Sequence, residues 1–291
     1  MISESVVRIG FLGYGTRALD ALMADSRFDV RYFLTPRKNL CDDVYEAERK
    51  YNNHFDMEII DDAKQLYERI AGIHDVDCFM VNACSIIIKP DALSVCDFYN
   101  IHPGRLETNR GHHPHLWTVL LEEKTSEIVL HKVTPGIDEG EVVACVEKDI
   151  PAGSNSEEVL NLLEDEIPAL LSGLYLYLKG QKGIDKTVYG GIYRHVLTPE
   201  DYRVRLENST VEGFDRELDK KMRARFMHHG AFFVYEGNRI YVDKIISKTD
   251  GSRQDGYEVI LRSDNTVALC TPIYDYEMHI NKIQADDGGL Q

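Results

Sequence analysis

Two short polar segments carry the side chains best suited to chemistry. Asn100 and His102 stand two residues apart at the end of an apolar run, so on an extended strand both side chains face the same side. Asp138 stands in a turn between Gly136 and Gly140, directly after another apolar run. We expect the amide, the imidazole and the carboxylate to meet at one site where a chemical group is transferred.

The elements before these segments predict a parallel sheet. The runs from Val6 to Leu12 and from Phe28 to Leu34 predict two strands, and residues 16–23 predict the helix between them. A glycine turn joins the first strand to this helix, which is typical of a βαβ unit. Because ligands bind at the carboxyl ends of parallel strands, the segment of Asn100 would lie where a site is expected.

The rest of the first half predicts more strands and one long helix. A capping box at residues 154–157 opens that helix, and Pro168 is expected to kink it. The strand at residues 141–146 should run antiparallel, because the turn before it is too short for a crossover. Further strands are predicted at residues 57–60, 78–81, 98–101 and 127–133.

Composition shifts at residues 179–183, the predicted linker. We therefore expect an α/β catalytic domain at residues 1–182, with a Rossmann-like, mostly parallel sheet and flanking helices. A small β-rich domain should follow at residues 183–280, with a helix at 210–225 and a hairpin that turns at Gly237 and Asn238. Residues 281–291 read as a flexible tail.

The bulk composition favours some function classes over others. The formal net charge is −16, which argues against a nucleic-acid partner, since such binding relies on a basic face. Six scattered cysteines without paired spacing indicate a reducing cytoplasm. The sequence predicts neither a signal peptide nor a transmembrane helix, so we expect a cytoplasmic protein without a membrane partner.

The glycine turn after the first strand supports a different class, an NADP-binding oxidoreductase or sensor. Gly13, Gly15 and Ala18 follow a dinucleotide-binding pattern. The acidic residue that would bind a ribose hydroxyl is missing after the second strand, where Arg37 and Lys38 suit a 2′-phosphate instead. A glycine turn alone is a weak signal.

The pairing of Asn-x-His at residues 100–102 with Gly-Ile-Asp-x-Gly at 136–140 resembles the folate-dependent N-formyltransferase family. That family includes the glycinamide ribonucleotide, methionyl-tRNA and amino-sugar formyltransferases. The resemblance covers roughly residues 5–178, and the Asn-Arg-Gly at 109–111 makes it strongest toward the nucleotide-sugar branch.

The resemblance implies 10-formyltetrahydrofolate as the donor, a primary amine as the acceptor and no metal. It implies that Asn100 donates a hydrogen bond to the formyl oxygen. Protonated His102 would stabilise the same oxygen or protonate the departing folate nitrogen. Asp138 would raise the pKa of His102 and help to remove the proton of the amine.

Binding roles carry over by position. Gly104, Arg105 and Arg110 would lie on the acceptor side, although residues 105–108 lack the Leu-Pro that relatives often carry. His112 replaces an arginine of many relatives, and we place it at the rim of the donor site. His112, His113 and His115 diverge too much for a metal site. The other expected folate contacts are Cys84, Ser85, Ile86, Thr134, Pro135, Gly136 and Ile137.

The preferred acceptor is the amine of a nucleotide-linked aminodeoxy sugar. A hydroxyornithine-type amine, methionyl-tRNA, and hydrolysis of the donor by water remain as alternatives, since the same three residues serve all of them. A small-molecule amine is thus the expected partner, and a homodimer is a further possibility that the sequence does not decide.

Overall fold

The computed structural model describes residues 6–55, 57–181, 184, 186, 190–225 and 230–286. The chain divides into two compact units. The first unit comprises residues 1–114, 125–150 and 160–194, and the second comprises 115–124, 151–159 and 195–291. The domain boundary predicted at residues 182 and 183 lies outside the described residues.

Seven strands of the first unit form one sheet in the order β3-β2-β1-β4-β5-β7-β8. The pairs from β3 to β5 are parallel, while β7 pairs antiparallel with both β5 and β8. This mostly parallel sheet confirms the predicted fold class, and the antiparallel β8 is also confirmed. The strands are β1 Val7–Gly13, β2 Phe28–Pro36, β3 Met57–Ile60, β4 Cys78–Asn82, β5 Phe98–His102, β6 Arg110–Gly111, β7 Thr125–Lys132 and β8 Val142–Asp149.

The two-residue strand β6 lies outside this sheet. It pairs in parallel with β9, Tyr193–Arg194, which comes from far later in the chain. Neither strand has a sequence pattern long enough to predict, since the alternation of a strand needs several residues to show.

Apolar runs decide where the strands of the sheet lie. All five residues of β4 are buried, as expected for a central strand that is covered on both faces. On β4, Phe79 stacks on Phe98 of β5, with the ring centroids 5.2 Å apart. Dense apolar packing of this kind holds the carboxyl ends of β4 and β5 in fixed positions.

The first helix begins at Thr16, as the sequence predicts. Asp62 caps α3 by accepting hydrogen bonds from the N–H groups of Lys64 and Gln65. In the part of the chain that the structure describes, no helix is both long and apolar enough to cross a membrane. The helices are α1 Thr16–Ala24, α2 Asp42–Tyr51, α3 Ala63–Ala71, α4 Pro90–Leu93, α5 Pro114–Leu120, α6 Ser156–Glu164, α7 Ile167–Leu178 and α8 Phe214–Arg223.

The long helix predicted after residue 154 is two helices, α6 and α7. Pro168 lies in the first turn of α7, where a proline is tolerated. The chain is therefore interrupted between two helices before Pro168, and Pro168 does not kink one continuous helix. The capping box is shifted by one residue: Asn155 and Glu158 exchange hydrogen bonds between side chain and main chain. Ser154 is not the cap, because its hydroxyl donates to the carbonyl of Pro151.

The second unit contains a five-stranded antiparallel sheet in the order β10-β11-β14-β13-β12. One face packs on α8 through buried apolar side chains such as Phe233, Leu218 and Met278. This sheet matches the expected β-rich second part. Its strands are β10 Phe232–Tyr235, β11 Asn238–Asp250, β12 Glu258–Leu261, β13 Thr266–Cys270 and β14 Tyr274–Ala285.

Three details of this unit differ from the sequence predictions. The hairpin turns at Glu236 and Gly237, which both have positive φ, and not at Gly237 and Asn238. The helix expected from residue 210 starts at Phe214, because a 3₁₀ helix occupies 206–210. Residues 281–285 belong to β14, where pairing with β11 orders them, while 287–291 lie outside the described residues.

Candidate active site

The structure brings Asn100, His102 and Asp138 together, as the sequence predicts. Asn100 Nδ2 lies 3.5 Å from Asp138 Oδ1, and His102 Nδ1 lies 3.4 Å from Asp138 Oδ2. His102 is only 3% exposed, and little of the Asp138 side chain meets solvent. The carboxylate therefore links the other two side chains in a largely dry site.

The sheet explains this arrangement. Asn100 and His102 are the third and the last residue of β5. They lie at its carboxyl end, beside the carboxyl end of the parallel strand β4. Strand β7 runs antiparallel beside β5 and leads into the turn that carries Asp138. Asp138 adopts a left-handed φ of 51°, a conformation that aspartate tolerates better than most residues.

A fourth side chain, His131, completes the cluster. Its Nε2 lies 3.3 Å from Asp138 Oδ1 and 3.2 Å from Asn100 Nδ2, and its Nδ1 lies 3.1 Å from the carbonyl oxygen of Lys132. The side chain is almost fully buried. His131 was not among the predicted site residues, and it enters the cluster because β7 pairs it directly opposite Asn100.

A short main-chain segment, residues 109–111, holds the cluster from the other side. We call it the 109–111 loop. The N–H of Gly111 donates a 2.8 Å hydrogen bond to Asp138 Oδ2, and the carbonyl of Asn109 lies 2.9 Å from His102 Nε2. Arg110 forms a 2.8 Å ion pair with Glu139, next to the carboxylate. Both His102 and Asp138 are thus oriented by main-chain groups.

Burial and neighbouring charges set the protonation states. Burial alone would raise the pKa of Asp138, but His102, the hydrogen bond with His131 and the N–H of Gly111 hold it well below its ordinary value. Burial is the largest effect on His102 and lowers its pKa, with the charge of Asp138 and the Asn109 carbonyl opposing it. Asp138 thus raises the pKa of His102, as expected, but desolvation outweighs the carboxylate and the net pKa is lowered.

The two ring nitrogens of His102 indicate what the site can do. Both face oxygen acceptors, Asp138 Oδ2 and the Asn109 carbonyl, yet a neutral imidazole has only one N–H. Gaining a proton would satisfy both contacts at once. Burial lowers the pKa of His102 and so favours the neutral ring, while the two flanking acceptors stabilise the protonated form, an arrangement suited to accepting a proton during a reaction.

The residues expected to contact a folate lie on two segments of the first unit. Cys84 and Ile86 pack against an apolar core, and burial raises the pKa of the Cys84 thiol to about 11. Ser85 is exposed, and its N–H donates to Asn39 Oδ1 over 3.1 Å. In the other segment Thr134 Oγ1 donates to the Gly136 carbonyl, while Pro135 and Ile137 are exposed. Contact of these residues with a folate stays a prediction.

The expected acceptor residues separate into different groups. Arg105 is not brought to the cluster, because its guanidinium binds Glu147 and Thr125, at the end of β7 remote from His131. Gly104 packs against Pro114, only 2.3 Å from where a Cβ would lie, so packing already explains this glycine. Arg110 does lie beside the cluster, through Glu139.

His112, expected at the rim, is exposed, and its N–H donates to the carbonyl of Arg194. Among the described residues, no group of three or more His, Cys, Asp or Glu side chains has the geometry to hold a metal ion.

The glycine turn after β1 has a packing explanation as well. A Cβ on Gly13 would lie 1.9 Å from the Asn82 carbonyl oxygen, and one on Gly15 would lie 1.5 Å from Asn82 Oδ1. The end of β4 therefore requires both glycines, whether or not a phosphate binds there. Arg37, the residue suited to a 2′-phosphate, forms an ion pair with Asp61. These contacts weaken the NADP alternative.

Comparison with known proteins gives relatives in sequence and in fold. No protein-family model matches the chain. The methionyl-tRNA formyltransferase of Rickettsia bellii is 28% identical over 176 residues, which is 58% of this chain and 54% of that relative. The chain thus spans about half the length of the curated relatives it matches.

Several solved structures share the fold. HypX of Aquifex aeolicus, determined in complex with tetrahydrofolic acid, matches 97% of this chain and 46% of its own, with a TM-score of 0.64 and 15% identity. A sugar N-formyltransferase from a Shewanella species matches 81% of this chain and 96% of its own, with a TM-score of 0.61 and 15% identity. At these identities the comparison shows the fold: a mostly parallel sheet with flanking helices, followed by an antiparallel sheet.

Proposed function

Because its sequence relatives and its fold support the folate-dependent formyltransferase family, we propose that this chain is an N-formyltransferase that uses 10-formyltetrahydrofolate and a primary amine. One observation carries the proposal: the Asp138 carboxylate joins Asn100, His102 and His131 in a single, largely buried cluster. An amide donor beside a histidine–carboxylate pair is the chemistry that acyl transfer requires.

The donor supplies a formyl group on nitrogen, whose carbonyl oxygen gains negative charge when an amine attacks the carbon. Asn100 is the amide donor of the cluster, and we assign it to this oxygen. Its neighbours His131 and Asp138 fix the orientation of the amide, so little reorganisation is needed during the reaction. A donor of this kind accelerates such reactions by about 10²–10³-fold.

His102 and Asp138 move the proton. The attacking amine loses a proton as its nitrogen bonds to the formyl carbon, and the proton reaches neutral His102 through water. The resulting imidazolium donates to Asp138 and to the Asn109 carbonyl, the two acceptors that flank the ring. The proton then passes to the folate nitrogen as its bond to the formyl carbon breaks. A positioned acid–base group contributes about 10²–10⁴-fold.

The segments of Ser85 and Ile137 are the proposed donor site. Both expose apolar or small side chains, Ile87 in the first segment and Ile137 in the second, which suits contact with a planar ring. The carboxyl end of β4 leads into the first segment, and the turn of Asp138 contains the second. Cysteines without a pairing pattern support a cytoplasmic location, where reduced folates would be available.

The proposed acceptor is a nucleotide-linked aminodeoxy sugar. The Asn-x-His and Asn-Arg-Gly segments support this choice, as does the net charge of −16, which disfavours a polyanion as large as tRNA. Methionyl-tRNA is the second candidate, because the Rickettsia bellii relative carries that name. The fold comparison does not separate the two.

Donor consumption tests the proposal. The purified chain is incubated with 10-formyltetrahydrofolate and, in separate reactions, with nucleotide-linked aminodeoxy sugars, hydroxyornithine or methionyl-tRNA. We expect tetrahydrofolate to form only with an amine, and with an aminodeoxy sugar nucleotide in particular. Steady formate release without any amine would instead identify a hydrolase. Turnover with methionyl-tRNA alone would select the second candidate.

Ligand-induced stabilisation separates the folate and NADP classes without an acceptor. A ligand at 100 times its Kd stabilises the folded state by about 2.7 kcal/mol. We expect a reduced folate to raise the Tm and NADPH to leave it unchanged. The reverse pattern would overturn the assignment.

A further inference from the structure

The 109–111 loop is held in place by the short strand β9. Strands β6 and β9 pair in parallel, with Arg110 opposite Tyr193 and Gly111 opposite Arg194. Three main-chain hydrogen bonds join the segments: Arg110 N–H to the Ile192 carbonyl, Ile192 N–H to the Glu107 carbonyl, and His112 N–H to the Arg194 carbonyl. The first two are 3.0 Å long.

The side chain of Arg194 adds a second attachment. Its Nε donates a 2.8 Å hydrogen bond to the carbonyl of Thr108 and lies 3.4 Å from Asn109 Oδ1. Asn109 is completely buried. The guanidinium thus contacts Thr108 and Asn109. The main-chain carbonyl of Asn109 is the group that lies against His102 Nε2.

The fit between the two segments is close. Gly111 has φ +96°, and a Cβ at this position would lie 2.6 Å from the carbonyl oxygen of Arg194. The opposite edge of Gly111 presents its N–H to Asp138. A shift of β9 would therefore be transmitted to both main-chain contacts of the His102–Asp138 pair.

We propose that Arg194 is a positioning residue of the active site, which through the 109–111 loop sets the Asn109 carbonyl against His102 and the Gly111 N–H against Asp138. The proposal rests on the proposed function only in that the reaction uses this pair. Arg194 lies outside the Asn-x-His segment at 100–102 and the Gly-Ile-Asp-x-Gly segment at 136–140, so neither of these two segments points to it.

The charged and titratable groups that face His102 determine how a displacement of the 109–111 loop would change its pKa. Asp138 lies against Nδ1, and His131 lies edge-on at a centroid distance of 6.4 Å. Arg110, bound to Glu139, is on the loop itself. The charge of Asp138 and the Asn109 carbonyl both favour the protonated ring, and of these two groups only the carbonyl belongs to the 109–111 loop. Displacing the Asn109 carbonyl should therefore lower the pKa of His102.

The test compares Arg194→Met, which removes the donors but keeps the length, with Arg194→Lys, which keeps a cation and one donor group. Arg205→Met is the control, since Arg205 is exposed and its ion pair with Glu207 is long, at 3.9 Å. We expect Arg194→Met to lower kcat about 10–100-fold, the range for residues that orient catalytic groups, with little change in the KM of the donor. Arg194→Lys should recover part of the loss.

The ring nitrogen shifts of His102, followed by NMR against pH in the free protein, give a readout that does not depend on activity. The titration midpoint of His102 should move to lower pH in Arg194→Met and stay unchanged in Arg205→Met. An unchanged midpoint with unchanged kcat would overturn the proposal. A shifted midpoint in a protein without formyl transfer would support the positioning role and count against the proposed function alone.

If Arg194→Met fails to fold, the lysine variant and amide hydrogen exchange decide. The Gly111 N–H should exchange faster in Arg194→Lys than in the unaltered protein, because the loop that buries it is less firmly held. Equal exchange rates at Gly111, with equal kcat, would reject the positioning role.

Discussion

The carboxylate of Asp138 accepts a 2.8 Å hydrogen bond from the main-chain N–H of Gly111, which lies 27 residues earlier in the chain. The same oxygen faces His102, while the other oxygen faces Asn100 and His131. Each oxygen thus has one partner that cannot move without moving the main chain or the sheet. The carboxylate is held as an orienting centre, and substitutions around it should differ according to which oxygen they release.

Removing the amide of Asn100 should slow turnover without unfolding the protein. Asn100→Ala takes away the donor proposed for the formyl oxygen, and we expect kcat to fall about 10²–10³-fold. Asn53→Ala, at an exposed position, should keep full activity. Circular dichroism checks that the fold persists. Near-normal kcat in Asn100→Ala would remove this residue from the site.

Activity should fall on the acidic side at an unusually low pH. The proposed base is neutral His102, whose pKa burial holds below its ordinary value of 6.5. We therefore expect kcat/KM to rise with pH through an apparent pKa below 6.5 and to be level at neutrality. An apparent pKa above 6.5 for this acidic limb of the kcat/KM profile would contradict the assignment of neutral His102 as the base.

Neutralising the carboxylate should move that limb further. Asp138 raises the pKa of His102 against the effect of burial, so Asp138→Asn should shift the limb to lower pH as well as reduce kcat. Asparagine also tolerates the left-handed φ at this position, which keeps backbone strain out of the comparison. A shift to higher pH would show that the carboxylate acts in another way.

His131 should matter through its Nε2 alone. His131→Gln places an amide nitrogen near the position of Nε2 and should retain most activity, whereas His131→Leu should lose about tenfold or more in kcat. His74→Leu, at an exposed position, is the matched control. Steady-state kinetics with both substrates measure the effect. Equal activity of the Gln and Leu variants would indicate that His131 only fills space.

The close approach at Gly111 should appear as a loss of stability. Gly111→Ala and Gly153→Ala both place a Cβ at positive φ, at +96° and +83°, which destabilises by about 1–2 kcal/mol. Only Gly111→Ala adds a contact with the main chain, at 2.6 Å from the Arg194 carbonyl oxygen, whereas nothing lies within 4 Å at Gly153. We expect the larger fall in urea-unfolding free energy for Gly111→Ala. Equal losses of unfolding free energy in the two variants would mean that β9 moves aside from the new Cβ at little energetic cost.

Stability should decrease in mild acid because of His102. Its pKa in the folded protein lies below the 6.5 of the unfolded chain, so its contribution is complete above 6.5 and is lost as pH falls toward the folded value. In this window a single proton changes the unfolding free energy by at most about 1.4 kcal/mol per pH unit. His102→Gln should flatten the dependence, and His74→Gln should not. Urea titrations between pH 7 and pH 5 measure both slopes.

Local sequence patterns predicted those parts of the site that depend on short spacing. Asn100 and His102 share a face because strands alternate, and the glycines around Asp138 mark its turn. The meeting of these segments was also predictable, since sheets of this class place their sites at strand ends.

Other parts depend on long-range contacts that no pattern encodes. His131 enters the cluster through the register between β5 and β7, and β9 is too short to leave a signal. Arg105 looked available from its position, but Glu147 and Thr125 engage it. The lowered pKa of His102 follows from burial, which is a property of the folded chain only.

The pairing of β6 with β9 also affects the order in which the protein matures. Arg194 lies 86 residues beyond Thr108, so their contact closes a long loop and forms slowly compared with local structure. Ribosomes add about 5–20 residues per second, and the strands from β1 to β8 are therefore synthesised several seconds before Arg194. For that interval a nascent chain can hold a formed sheet whose catalytic pair lacks its support, and we expect catalytic competence to be the last property that the first unit acquires.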